Sequence, residues 1–89
     1  MEFIFFIDYY TGKKHIYKHN ISVEEINEFF TESDYLRRKW KDGSYTAIAK
    51  LKTGRYIEVV YRVMGKDHLF VITAYDIEDE KILNFLENL

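Results

Sequence analysis

The sequence predicts one α+β domain spanning residues 1–89, with elements in the order βααββββα and a mostly antiparallel twisted sheet packed by helices. Three observations lead there. A chain of 89 residues that is 47% hydrophobic and 18% aromatic can offset the entropy of ordering one core but has no material for two. Apolar residues recur at helical spacing after Ser22. Beyond Tyr35 the period changes to two, and glycines break the pattern at short intervals.

Met1 to Ile7 is β-branched and aromatic, so it reads as a buried strand with Phe3, Phe5 and Ile7 on one face and Ile4 and Phe6 on the other. Asp8 can cap a first helix over Tyr9 to His19. Its pattern is weaker: Tyr9 and Ile16 are seven apart, as are Tyr10 and Tyr17, Gly12 is a local liability, and Asn20 is a left-handed stop. The second helix is the clearest local feature. Ser22 followed by Glu25 makes a capping box, Ile21 and Ile26 occupy the staple positions, and Val23, Ile26, Phe29 and Phe30 form one apolar stripe that ends near Ser33 or Asp34. Four strands then follow as a meander. Tyr35 to Lys41 turns at Asp42-Gly43, Tyr45 to Leu51 turns at Thr53-Gly54, Arg55 to Met64 turns at Gly65-Lys66-Asp67, and His68 to Tyr75 closes the series. A final helix opens at Asp76, where Ile82, Phe85, Leu86 and Leu89 make an apolar stripe expected to be buried, most simply on the domain's own sheet.

The formal charge of −2 conceals a strong segregation. Residues 20–34 carry −5 and residues 67–89 carry −5, whereas residues 35–66 carry +7. A basic block between acidic flanks points to a localised polyanion site; its plainer alternative is that the charges decorate the solvent side of strands. The absence of cysteine excludes disulfides, thiolate metal sites and a cysteine nucleophile. No run approaches the ~18 residues of a spanning helix, and no signal-peptide pattern opens the chain, so a cytoplasmic protein without a membrane partner is expected.

Several stretches carry a resemblance to a known family. Phe6-Ile7-Asp8, then Lys18-His19-Asn20-Ile21-Ser22-Val23-Glu24-Glu25, then Gly54-Arg55-Tyr56-Ile57-Glu58-Val59-Val60-Tyr61 and Val71-Ile72-Thr73-Ala74 together resemble the BrnT-type toxins, a branch of the RelE-like ribonuclease toxins of type II toxin–antitoxin systems. The resemblance implies a small RelE-like domain, RNA cleavage without a cofactor, and an antitoxin protein encoded by a neighbouring gene. Tyr75 stands where family members often have arginine, and Lys81 lies in an acidic helix where they often have a glutamate among basic residues.

Cleaving RNA without a metal needs a base for the 2′-hydroxyl, an acid for the leaving 5′-oxygen, and cations for the charge that builds on phosphorus. Candidates are His19 and Glu58 as acid or base, with Arg55, Arg62, Lys50 and Lys52 as cations. The plain alternatives are a structural hydrogen bond for His19 and a same-face Glu58–Arg62 ion pair. Arg37, Arg38, Lys39 and Trp40 combine cations with an aromatic ring, as would suit phosphates and a stacked base, and Lys50 and Lys52 extend the same RNA-binding set. Equally, the basic run could guard an exposed sheet edge and Trp40 could belong to the core. His15 and His19 share helical spacing for a metal pair, yet no third ligand accompanies them, so no metal is assigned. A non-catalytic module binding nucleic acid or protein is the second reading, an interaction module working by strand addition the third, and a homodimer remains open.

Overall fold

The computed structural model describes residues 1–89. It contains β1 (Glu2–Phe5), a 3-10 turn (His15–His19), α1 (Val23–Thr31), β2 (Leu36–Lys39), β3 (Tyr45–Lys50), β4 (Tyr56–Gly65), β5 (His68–Asp76) and α2 (Glu80–Glu87). The strands form one mixed sheet in the order β1-β5-β4-β3-β2. The meander is antiparallel throughout, as its tight turns require, and β1 joins it in parallel along β5.

α1 forms where its caps place it. Ser22 Oγ accepts from the Glu25 N–H at 3.1 Å while the Ser22 N–H donates to Glu25 Oε1 at 3.0 Å, so two otherwise orphaned donors are satisfied reciprocally. Ser22→Ala is expected to cost about 1 kcal/mol in urea unfolding, the usual worth of such a cap. The helix lays Ile26, Phe29 and Phe30 on the inner sheet face, against Ala47, Ala49, Ile57, Val59, Tyr61, Leu69 and Val71. Aromatic rings dominate that contact: Phe30 meets Tyr61 edge-on with centroids 4.9 Å apart, and Tyr61 in turn stacks on Tyr45 at 5.4 Å.

Four expectations are corrected. The first helix does not form over Tyr9 to His19: Gly12 takes a left-handed φ of 67°, Ile7 bridges to Lys14, and the chain makes a small hairpin that leaves only the 3-10 turn, although Asn20 does stop it at φ 58°. β1 is not a buried strand but an edge strand, with Ile4 51% exposed on its outer side. α1 ends at Thr31, two residues early. The last helix is capped by Asp79, because Asp76 still belongs to β5, and none of its residues is buried; Phe85 remains 54% exposed.

Pleating puts Tyr56, Glu58, Val60 and Arg62 of β4 on the face opposite α1, beside Thr46 and Ile48 of β3. α2 lies over part of this outer face, with the Tyr56 hydroxyl donating to Glu87 and with Ile82 and Phe85 beside Ile48 and Glu58. The outer face beside α2 therefore carries open concave surface.

Candidate nucleic-acid interface

Cross-strand register lays out the outer face in rows. Tyr75, Glu58, Ile48 and Leu36 stand in one row from β5 to β2, and Thr73, Val60, Thr46 and Arg38 in the next. The open groove here has two connected parts. One, of about 410 Å3, is bounded by Arg38, Trp40, Ile48, Glu58, Ile82 and Phe85; the other, of about 760 Å3, continues past Lys39, Lys41, Asp42 and Val60, and the two share Arg38, Trp40 and Thr46.

Trp40 is 44% exposed and so lies outside the core. Its indole N–H donates to Thr46 Oγ1 at 2.7 Å, which fixes the ring against the sheet, and the Arg38 guanidinium sits 4.3 Å from the ring centroid. An arginine held over an indole keeps its planar donors free for a phosphate while losing little rotamer entropy on binding. Arg37 and Lys39 point to the other side of β2, with their cations 5.2 Å and 5.8 Å from the Tyr45 ring centroid. None of these three cations, nor Lys41, has a carboxylate partner. β2 is indeed an exposed edge, so the same residues also oppose edge-to-edge pairing.

Glu58 is the one carboxylate in the smaller part of the groove. It makes no ion pair with Arg62. Instead it accepts from the Tyr75 hydroxyl at 2.8 Å, while Arg62 donates to the Asp42 carbonyl at 2.8 Å and lies 3.7 Å from its carboxylate. The Arg62 side chain passes so close over the hairpin that a Cβ on Gly43 would meet it at 3.2 Å, and Gly43 itself has a left-handed φ of 89°. Burial, and then the bond to Glu58, push the Tyr75 phenol up to about 12, so it stays protonated at neutral pH and keeps its proton directed at the carboxylate.

The imidazole of His19 packs edge-on against Tyr75 with centroids 6.0 Å apart, and both border a further cavity of about 370 Å3 with Asn20, Asp76 and Glu78. Tyr75 thus touches His19 on one side and Glu58 on the other. His15 stands 5.4 Å from His19, centroid to centroid, and its Nδ1 is 2.7 Å from Asp8 Oδ1. No group of three or more potential ligands gathers around the pair.

Arg55 lies just before β4, outside the groove, and is fully engaged. Its Nε and Nη2 bind the Asp76 carboxylate at 2.6 Å and 3.1 Å, Nη1 reaches Glu25 Oε2 at 3.0 Å and the Asn20 carbonyl at 2.8 Å, and Nη2 also reaches the His19 carbonyl at 3.3 Å. These bonds raise the guanidinium pKa further, Asp76 first among the causes. Lys52 is likewise occupied, 2.7 Å from Glu32, whereas Lys50 only overlies the Tyr56 ring at 5.4 Å.

The structure therefore brings Glu58, Arg38 and Trp40 to one groove, sets His19 beyond Tyr75, and spends Arg55 on Asp76, Glu25 and the His19 and Asn20 carbonyls. Sequence reasoning gave Tyr75 no role. A count outward from the three-residue turn expected at Gly65-Lys66-Asp67 would pair Glu58 with Ala74; in the structure Gly65 itself pairs with His68, the register shifts at Val60/Tyr61 and Val63/Gly65 cancel, and Glu58 faces Tyr75, so one residue of turn length hid the pair. Comparison with protein-family models, curated proteins and solved structures finds no match for this chain.

Proposed function

We propose that this domain is a BrnT-like toxin with a RelE-like arrangement of its sheet, which binds single-stranded RNA in the outer-face groove and cleaves it without a cofactor. The observation that carries the reading is the groove in which Arg38 over Trp40 faces Glu58. A base stacks on the exposed part of the Trp40 ring, its phosphate meets Arg38, and Glu58 takes the proton of the 2′-hydroxyl as that oxygen attacks phosphorus. The P–O5′ bond breaks and His19 supplies a proton to the departing oxygen, leaving a 2′,3′-cyclic phosphate and a 5′-hydroxyl. Tyr75 is a positioning residue that orients Glu58. Arg55 holds the fold and touches no phosphate. In the cytoplasm an acidic segment of an antitoxin from a neighbouring gene would cover Arg37 and Arg38 and silence the protein.

A second reading, an RNA-binding module without catalysis, is favoured by one observation. Arg55 and Arg62 are both committed to protein acceptors, which leaves only Arg37 and Arg38 among the arginines without a carboxylate partner. Binding tests the part common to both readings. The two unpaired cations on the groove side of β2, Arg38 and Lys41, predict a slope of log affinity against log salt of about −1.4 for single-stranded RNA, since each neutralised phosphate contributes about −0.7. Arg38→Glu should lower affinity about tenfold and flatten the slope, through loss of a contact and addition of a repulsive charge. A flat response in the wild type would remove RNA as the ligand.

A further inference from the structure

A second cluster of unpaired cations and aromatic rings lies at the opposite edge of the sheet, in the small hairpin between β1 and the 3-10 turn. Tyr9 and Tyr10 are 91% and 95% exposed, and their rings meet edge-on at 5.3 Å, so each presents a free π-face to solvent. Beside them Lys13, Lys14 and Lys18 line an open cavity of about 340 Å3 with Tyr10 and Tyr17, and none of the three lysines has a carboxylate partner. Asp8, the one acid of this cavity, is tied to His15. The remaining salt-bridged cations of the chain, Lys52, Arg55, Arg62 and His68, all lie elsewhere.

Nothing in the packing requires two adjacent tyrosines here, because neither ring covers the core. Two stacking faces flanked by three free ammonium groups match the chemistry of an unpaired nucleotide strand, in which every base offers a π-face and every linkage a negative charge. A peptide of acidic residues would satisfy the lysines but leave both rings wet. We infer that the 9–18 hairpin is a second single-stranded RNA contact, binding bases on Tyr9 and Tyr10 and phosphates on Lys13, Lys14 and Lys18. It rests on the RNA-binding reading and adds a site that the groove does not include. Four strand spacings of about 4.8 Å set the edge strands about 19 Å apart, so a strand of about four nucleotides occupies one contact and one of about 16 has the length for both.

The test measures binding of 4-nucleotide and 16-nucleotide single-stranded RNAs by fluorescence anisotropy, using the full chain, Tyr9→Ala/Tyr10→Ala and Trp40→Ala. Loss of two stacking faces should weaken the 16-mer about tenfold or more, with the circular dichroism unchanged because both side chains lie in solvent. Photocrosslinking of a uracil-containing 16-mer should label the 9–18 peptide. Unchanged 16-mer affinity in Tyr9→Ala/Tyr10→Ala, together with weakening in Trp40→Ala, would overturn the second contact while leaving the groove intact. Absence of binding to either RNA by the wild type would overturn both. A polyglutamate peptide that loses affinity in the double variant, while RNA binding is unaltered, would assign the hairpin to an acidic protein segment and also overturn the inference.

Discussion

Glu58→Gln is expected to lower RNA cleavage by about two orders of magnitude or more, with chelator present and the fold intact, because it removes the group assigned to accept the 2′-hydroxyl proton. The substitution isolates chemistry from structure. A glutamine carbonyl can still accept from the Tyr75 hydroxyl, now 2.8 Å from the carboxylate, so the side chain keeps its anchor and loses only its basicity. RNA affinity should change little, since Arg38, Trp40 and Lys41 remain. His19→Gln should slow cleavage to a similar degree if His19 is the acid, and its packing against Tyr75 rather than on a buried ladder makes the change structurally mild. The measurement compares purified wild type and both variants on one RNA, free and ribosome-bound. A wild type inert on both substrates sinks the ribonuclease and leaves the binding module, and full activity in Glu58→Gln sinks the assignment of the base.

Arg55→Ala should destabilise the domain by roughly 2 to 4 kcal/mol, below the range for breaking a fully buried ion pair because the Arg55 side chain is 26% exposed. The loss is large because one side chain serves four acceptors. Removing it takes the cation from Asp76, half-exposed, and from Glu25, which keeps only the Ser22 N–H, and it ends the bonds to the His19 and Asn20 carbonyls. Arg55→Lys should recover only part of this, as a point charge cannot bind Asp76 in two places. The clamp also sets a pH dependence. Arg55 holds the Asp76 carboxyl below its usual range against the opposing effect of burial. For Glu25, burial acts upward, but the Ser22 N–H and Arg55 outweigh it and the carboxyl again lies low. Lowered folded values mean a contribution that is complete above the unfolded values, ~3.9 for Asp and ~4.3 for Glu, and that is lost as pH falls through the folded ones. Urea midpoints of wild type and Arg55→Ala should therefore be far apart at pH 7 and converge as pH falls below ~4. A gap that stays constant with pH would show that the clamp is not electrostatic.

What the sequence determined by itself was whatever neighbours along the chain decide. The Ser22–Glu25 box, the Ile26–Phe29–Phe30 stripe, the αL stop at Asn20 and the turns at Gly43, Gly54 and Asp67 all act within a few residues, and the structure has each of them. The meander followed, because short turns admit only antiparallel neighbours. Glu58 and Arg62 were also legible as sharing a face, since strand pleat is strictly periodic. Tertiary structure alone decided the partners of those charges. Glu58 and Arg62 ignore each other because Tyr75 and Asp42 approach from adjacent strands and turns with better geometry. Arg55 was equally available, on sequence grounds, to a phosphate; only the convergence of residues 19, 20, 25 and 76 shows that its donors are spent. The parallel pairing of β1 with β5 made it an edge rather than a buried strand, and set its outer residues in solvent. The first helix was lost for the same reason: the pairing of Ile7 with Lys14 and the His15–Asp8 contact hold the hairpin, which a weak helical pattern interrupted by Gly12 does not displace. Local propensity acts over one or two turns of chain, whereas a hydrogen bond or ion pair between distant segments depends on where the whole sheet brings them, and that is the information a linear pattern does not hold.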